Sequence, residues 1–328
     1  MMENRSFDHY LGWLATDNGY LEAGRRLYGS RFRVDGSVDQ TYLDPTGQRV
    51  STRPASGGGS ERIESRGCRF QAPGHSWVAS RVQRDKGFLA RGTGNDDFAV
   101  TYYQGDDLAI YAAMARRFTV FDDWHASLLG PTFPNRQYYL SAQSEGRKTD
   151  PVPPREGMYK AETIVDRLAA AGVPVGYYHT SVALLALWGA DRMAPYIRSL
   201  DRYFEDAAAG TLPRVVFLEP GFGVGDALRT DDHPRGDIGL GQRWVREVFQ
   251  AFVFHCQFDS GFLVENTRET KIRLFILQVT APLGMGLIVA AVLGALASAL
   301  IARHMAAPEL RRLRRLRRER DDERPPST

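Results

Sequence analysis

A chain of 328 residues, 43% of them apolar, is long enough to bury a large core, and it reads as one α/β domain rather than two smaller ones. Its net charge of +3 is a property of the C-terminus: residues 303–328 hold nine Arg against five acids, which leaves 33 basic and 34 acidic residues ahead of them. So neutral a body excludes nucleic acid as a partner, and two cysteines, Cys68 and Cys256, are too few for a disulfide framework or a Cys-based metal site.

In chain order, the first chemistry-bearing pair is Glu3-Asn4, a carboxylate beside an amide oxygen, which suits a divalent cation that takes oxygen ligands. Residues 21–66 are polar and rich in Gly, Ser and Arg, with a Ser-Gly-Gly-Gly-Ser connector at 56–60, and read as an elaborated surface loop. His75 follows a Pro-Gly turn and precedes a helical stretch over 78–84. Apolar spacing predicts a helix over 107–117, and Phe118-Thr-Val-Phe121 reads as a short buried strand. Next comes Gly130-Pro-Thr-Phe-Pro-Asn-Arg136, where the Thr132 hydroxyl lies between two prolines and is held in one orientation, as a nucleophile must be.

After the extended linker at 150–154, a helix over 161–171 ends at Gly172 and leads into a strand over 173–178, with His179 at its end as a weaker candidate. A helix over 201–209 is stopped by Gly210, and residues 213–218 form the clearest buried strand. This alternation predicts an α/β fold, a mainly parallel sheet flanked by helices. Gly221-Phe-Gly-Val-Gly225 has the wrong spacing for dinucleotide binding and reads as a mobile loop. Asp231-Asp-His-Pro234 concentrates acid and imidazole at one turn, either as a functional cluster or as a cap for the amphipathic helix over 241–254, whose apolar face holds Trp244, Val245, Val248 and Phe252.

Residues 274–302 hold no charge, and Gln278, Thr280 and Ser298 are their only polar side chains. At 1.5 Å per residue, 279–302 alone would cross a hydrocarbon layer of roughly 30 Å, so a transmembrane helix is predicted. The arginines from Arg303 onward put the C-terminus in the cytoplasm and the preceding domain outside. No signal peptide precedes Met1, and only Met1 and Met2 stand where a first core strand would lie, so the natural start is expected upstream. The expected organisation is a domain over 1–258, a linker over 259–273, the span over 274–302 and a basic tail over 303–328.

Four stretches resemble one family. Glu3-Asn-Arg-Ser-Phe-Asp-His9, Gly74-His-Ser76 before Trp77, Gly130-Pro-Thr-Phe-Pro-Asn-Arg136, and Asp231-Asp-His-Pro234 with Gly241-Gln242 and Val245-Arg-Glu-Val248 are similar to signatures of the phosphoesterase family. That family holds bacterial phospholipases C, plant non-specific phospholipases C and a class of acid phosphatases. The resemblance implies an alkaline-phosphatase-like fold and a divalent metal held by Glu3, Asn4 and the Thr132 alkoxide. It implies Thr132 as the nucleophile, and Asn4, His75 and His233 as ligands of the substrate phosphate, with Thr132, His75 and His233 forming the catalytic set. Asn135 and Arg136 are expected to shape the loop. The family's later acidic pair before Gly-Gly has no counterpart, Asp259 being the only nearby acid. The expectation is a membrane-anchored, metal-dependent hydrolase acting on phospholipid or another phosphate ester, like a phospholipase C. A phosphomonoesterase and an inactive remnant are the alternatives.

Overall fold

The computed structural model describes residues 2–36, 39–55, 70–151, 154–222, 229–234, 236–258, 269–274 and 277–282. The chain divides into two units, 1–253 and 254–328.

At the centre of the first unit is a three-stranded parallel sheet in the order β6-β5-β7, made of β5 (Val175–His179), β6 (Ile197–Ser199) and β7 (Val215–Glu219). Successive side chains of a strand point to opposite faces. Tyr177 accordingly packs with Leu185, Trp188 and Met193 on one side, and Tyr178 with Tyr203, Trp244 and Val248 on the other. Because β5 is covered on both faces, it reads as an unbroken buried run rather than an alternating one. Tyr178 keeps its hydroxyl satisfied in the core by donating to Asp206 Oδ2 at 2.7 Å, and Arg198 and Arg202 balance that carboxylate at 3.2 and 2.8 Å.

Local signals set the element ends. The helix Ile164–Ala170 opens on a capping box between Thr163 and Asp166, and the chain leaves it through Gly172 at φ +68, a conformation that costs glycine little. Register pairs Tyr177 with both Ile197 and Phe217, and His179 with Glu219, so β5 and β7 deliver a histidine and a glutamate to the same C-terminal edge.

A second core fixes the amino-terminal segment. Ser6 caps the helix Phe7–Leu11 by accepting from His9 N at 3.1 Å, and Tyr10 packs with Phe98, Tyr103, Leu108 and Ile238. The His9 ring sits edge-on to Phe98 and Tyr103, each at 4.9 Å between centroids, and Nδ1 donates to Thr101 O at 2.6 Å. Burial first, and the Arg5 guanidinium second, hold the His9 imidazolium down to a pKa of about 3, so the ring is a neutral structural anchor at ordinary pH.

Several expectations change. Residues 118–121 are not a strand: Phe118 and Phe121 are exposed, and no strand among the described residues pairs with them. In the described sheet β7 lies at the edge and is half-buried, while the central buried strand is β5. Residues 21–66 are not only loop. Asp17 caps a helix, Asn18–Tyr28, and Asp44 Oδ1 organises the turn of a hairpin, β1 (Thr41–Leu43) and β2 (Arg49–Ser51), by accepting from Thr46 N and Gln48 N. The final helix of the first unit starts at Ile238 and buries Trp244 and Val248, but Phe252 is exposed.

In the second unit the described residues form an antiparallel hairpin, β8 (Glu269–Leu274) and β9 (Leu277–Pro282), over residues divided above between linker and span. Leu277-Gln-Val-Thr-Ala281 alternates apolar and polar side chains, a period of two that suits a strand. No helix among the described residues is long and apolar enough to cross a membrane, and 283–302 lie outside those residues. So do Cys68, the Cys256 side chain, Asp259 and 223–228 of the glycine-rich stretch.

Candidate functional site

Three segments far apart in sequence are bound together by main-chain and ionic contacts around Glu3. Glu3 N donates to Asp231 O at 2.7 Å, and Arg5 Nε donates to Asp232 O at 2.7 Å, so residues 3–5 run alongside 231–232. Asn4 (φ +49) and Asp232 (φ +65) both occupy the left-handed region. Asn and Asp enter that region more readily than other non-glycine residues, at a cost of about 1–3 kcal/mol, and such outliers concentrate at functional sites.

The third segment is the helix Thr132–Ser141. Prolines at its N-cap and third position are tolerated, because the first N–H groups of a helix have no intrahelical acceptor. The expected turn around Thr132 is therefore the opening of a helix, and Thr132 occupies its first position, half-buried. Asn135 fixes the approach: Oδ1 accepts from Leu128 N at 2.9 Å, and Nδ2 donates to Leu128 O, Gly130 O and Pro131 O at 2.9, 3.2 and 3.0 Å.

One turn after Thr132 comes Arg136, which joins the helix to the other segments. Its Nε and Nη2 donate to Glu3 Oε1 at 2.9 and 2.5 Å, and its Nη1 donates to both Glu219 oxygens at 2.7 and 2.8 Å. All three side chains are buried. Tyr177 also donates its hydroxyl to Glu219 Oε2, and the Arg136 guanidinium lies over the Phe222 ring at 4.7 Å. Burial pushes the Glu3 carboxyl above its ordinary value, with Arg136 opposing and Asp231 and Glu219 adding to the rise. Burial works against the Arg136 charge too, but Glu219 and Glu3 more than offset it and hold the guanidinium above its usual value.

The two histidines meet on the Asn4 side. His75 and His233 pack edge to face with centroids 5.5 Å apart, and Asn4 Nδ2 lies 3.2 Å from His75 Nδ1. In each ring Nδ1 is also within reach of a proline carbonyl, Pro73 O at 2.8 Å and Pro234 O at 3.0 Å. A carbonyl only accepts, so the neutral His233 ring carries its proton on Nδ1 and has Nε2 bare, whereas His75 Nδ1 faces both the Pro73 carbonyl, which needs a donor, and the Asn4 amide N–H, which needs an acceptor. Burial lowers the His233 pKa, and the Arg229 charge and His75 act in the same direction.

The helix that follows is capped by Asp237, whose Oδ1 accepts from Gly239 N at 2.7 Å, so Asp231 and Asp232 are left for other work. Asp231 is fully buried, with Oδ1 accepting from His233 N at 3.1 Å and Oδ2 without a hydrogen-bond partner among the described residues. Asp232 receives the Tyr111 hydroxyl on Oδ2 and lies so close to Gly241 that a Cβ there would stand 1.8 Å from Oδ1. Burial raises the Asp232 carboxyl to about 6, against the pull of Tyr111 and Arg5.

Asp232 therefore gives a sign that can be measured. An unfolded aspartate loses its proton near pH ~4, and the folded one near 6, so between those values the native state binds more protons and stability falls as pH rises. Up to about 3 kcal/mol of stability is at stake across that window. Asp232→Asn keeps an acceptor for Tyr111 and should flatten the loss, read as urea midpoints between pH 4 and 7. Identical slopes in the two proteins would remove Asp232 as the cause.

Of the five residues predicted from sequence, Asn4, His75 and His233 are brought together, and Glu3 is held against the Thr132 helix through Arg136. No hydrogen bond joins the Thr132 hydroxyl to the other four among the described residues. Sequence reasoning missed Glu219, Tyr177, Arg5 and Tyr111, and gave Arg136 only a loop-shaping role. The position of Glu219 at the end of a parallel strand, where α/β sheets place their sites, was the available signal.

For a divalent metal, both Arg136 bonds fall on Glu3 Oε1, so Oε2 takes no part in that pair. Glu3, the Asn4 amide and the Thr132 hydroxyl have the right chemistry for one edge of a hard-cation shell of about six oxygens. Among the described residues no three His, Cys, Asp or Glu side chains converge on one point.

The profile of the Phosphoesterase family matches residues 1–260. Non-specific phospholipase C6 of Arabidopsis thaliana is 28% identical over 283 residues, which cover 80% of this chain and 51% of the plant protein. Phospholipase C A of Mycobacterium tuberculosis is 29% identical over 279 residues, 74% of this chain and 51% of that protein. The chain thus spans about half the length of these curated relatives.

Proposed function

As the chain belongs to the phosphoesterase family, we propose that it hydrolyses phosphate esters in the manner of a phospholipase C, with Thr132 as nucleophile. The observation that carries this reading is the Arg136 bridge, which fastens Glu3 and its neighbour Asn4 to the helix that opens at Thr132.

Thr132 Oγ attacks phosphorus and the ester alcohol departs with the threonine's proton, which leaves Thr132 esterified to the phosphoryl headgroup, and water then cleaves that Thr132–phosphorus ester and restores the hydroxyl. At the first position of its helix the oxygen feels the positive end of the macrodipole, which favours the alkoxide and the phosphoryl group beside it. Asn4 donates its amide to a phosphoryl oxygen. His233, with Nδ1–H tied back to the Pro234 carbonyl, presents Nε2 and donates from it when the ring takes up a second proton, and His75 stands beside it within reach of Asn4. Glu3 Oε2, Asn4 and Thr132 would hold a divalent cation, which when bound lowers the pKa of the threonine hydroxyl and offsets phosphoryl charge. The uncharged residues 283–302, which follow the hairpin in sequence, would anchor the chain to a membrane, with the first unit outside and the C-terminus in the cytoplasm.

A second reading, an inactive phosphate-binding relative, draws on the lack of a converging acid cluster among the described residues. The test is turnover of a chromogenic phosphorylcholine ester against a simple phosphomonoester, with added divalent metal and with chelator. Faster cleavage of the choline ester, lost on chelation, is expected. Preference for the monoester would make the protein a phosphatase, and turnover of neither would favour the inactive relative.

A further inference from the structure

We propose that the segment between the helix Ala109–Ala115 and Thr132 is a membrane-contact loop that presses the nucleophile end of the site against a phospholipid surface. This rests on the phosphate-ester reading above and adds the physical form of the substrate, lipid in a bilayer.

The loop carries an unusual load of exposed apolar surface. Trp124 is 79% exposed, Phe121 66% and Leu129 43%, with Val78 of the adjoining helix at 67%. Of the five tryptophans, Trp13, Trp188 and Trp244 are buried and Trp77 is half-covered, so Trp124 alone stands out in solvent. Its ring has one aromatic neighbour, Phe121, at 5.6 Å between centroids. Side chains that project from a loop insert into a soft surface rather than receive a ligand, and tryptophan, apolar with one N–H, prefers the headgroup level of a bilayer.

Charge at the base of the loop selects the same occupant. Arg81 Nη1 donates to Leu129 O at 2.9 Å, and its guanidinium stacks on Trp77, whose ring lies 3.7 Å from where a Gly130 Cβ would stand. Exposed Lys148 places Nζ 4.9 Å from the same ring centroid. Two cations thus lie on the Trp77 ring at the base of the loop, a charge that phospholipid phosphates complement. Of the loop's own acids, Asp122 accepts from Asp35 N at 2.9 Å outside the loop, and Asp123 pairs within it with His125 at 2.7 Å.

The loop is also continuous with the chemistry. Asn135 binds Leu128, Gly130 and Pro131 to the first turn of the Thr132 helix, so a surface met by Trp124 and Leu129 is met a few residues from the attacking oxygen.

The test uses the full chain with phosphatidylcholine vesicles carrying brominated acyl chains, which quench tryptophan on contact. Wild type should lose fluorescence, and the quenched fraction should vanish in Trp124→Phe, whether or not the protein shows any hydrolysis. Phe121→Ser/Trp124→Ser should lower hydrolysis of vesicle phosphatidylcholine roughly tenfold or more while leaving a monomeric phosphorylcholine ester unaffected. Equal quenching in wild type and Trp124→Phe would overturn the proposal. So would light scattering that shows a dimer broken by the double substitution, since the loop would then cover a second copy of the chain. Loss of all turnover with quenching intact would instead strike the hydrolase reading and leave the membrane contact standing.

Discussion

Replacing Arg136 by methionine is expected to destabilise the first unit by about 3–5 kcal/mol, the range for removing one partner of a buried ion pair. The guanidinium is the shared counter-charge of Glu3 and Glu219, and all three side chains are buried, so methionine strands two carboxylates without solvent or cation. Tyr177 still donates to Glu219 Oε2, but Glu3 Oε1 loses both of the donors seen here. Burial already raises the Glu3 carboxyl with Arg136 present, so its removal should drive that group neutral, and the defect should shrink as pH falls toward the carboxylate range. Arg136→Lys restores charge but not the fork that serves two carboxylates at once, and should recover only part of the loss. Urea denaturation of the three proteins at two pH values is the check. A methionine variant as stable as wild type would show that the bridge does not hold the Thr132 helix to Glu3.

Thr132→Ala should have the opposite signature, with stability nearly unchanged and turnover lost. The hydroxyl is half-buried at the first position of a helix, where alanine is well tolerated, and among the described residues it makes no hydrogen bond to the rest of the site. If it is the attacking atom, its removal leaves only the binding groups, and the rate should fall on the order of 10⁴-fold or more, as for other enzymes stripped of their nucleophile. Thr132→Ser retains an oxygen on the same backbone and should keep much of the activity. Rates on the chromogenic phosphorylcholine ester, with thermal midpoints measured alongside, separate the chemical effect from a folding defect.

Much of this was legible in the sequence, for reasons that also explain the rest. Glycine stops at 172 and 210 and the apolar run at 175–178 are local signals, and the strands and helices they predict are present. Phe118-Thr-Val-Phe121 has the same local appearance but pairs with no strand among the described residues, and whether a partner exists is decided by tertiary structure. Glu3, Asn4, His75 and His233 could be named because each sits in a dense motif. Glu219 and Tyr177 could not, since their roles exist only through contacts 83 and 42 residues away in the chain. Arg136 was visible, but its charge has meaning only once the fold brings Glu3 across 133 residues to meet it.

The account stands most directly on a covalent intermediate at one oxygen. Protein mixed with a phosphorylcholine ester, quenched in acid within the first turnovers and digested, should yield a peptide carrying phosphocholine on Thr132, absent from Thr132→Ala and from wild type without substrate. Turnover by wild type with the phosphocholine adduct on another residue, or undiminished turnover by Thr132→Ala, would contradict it.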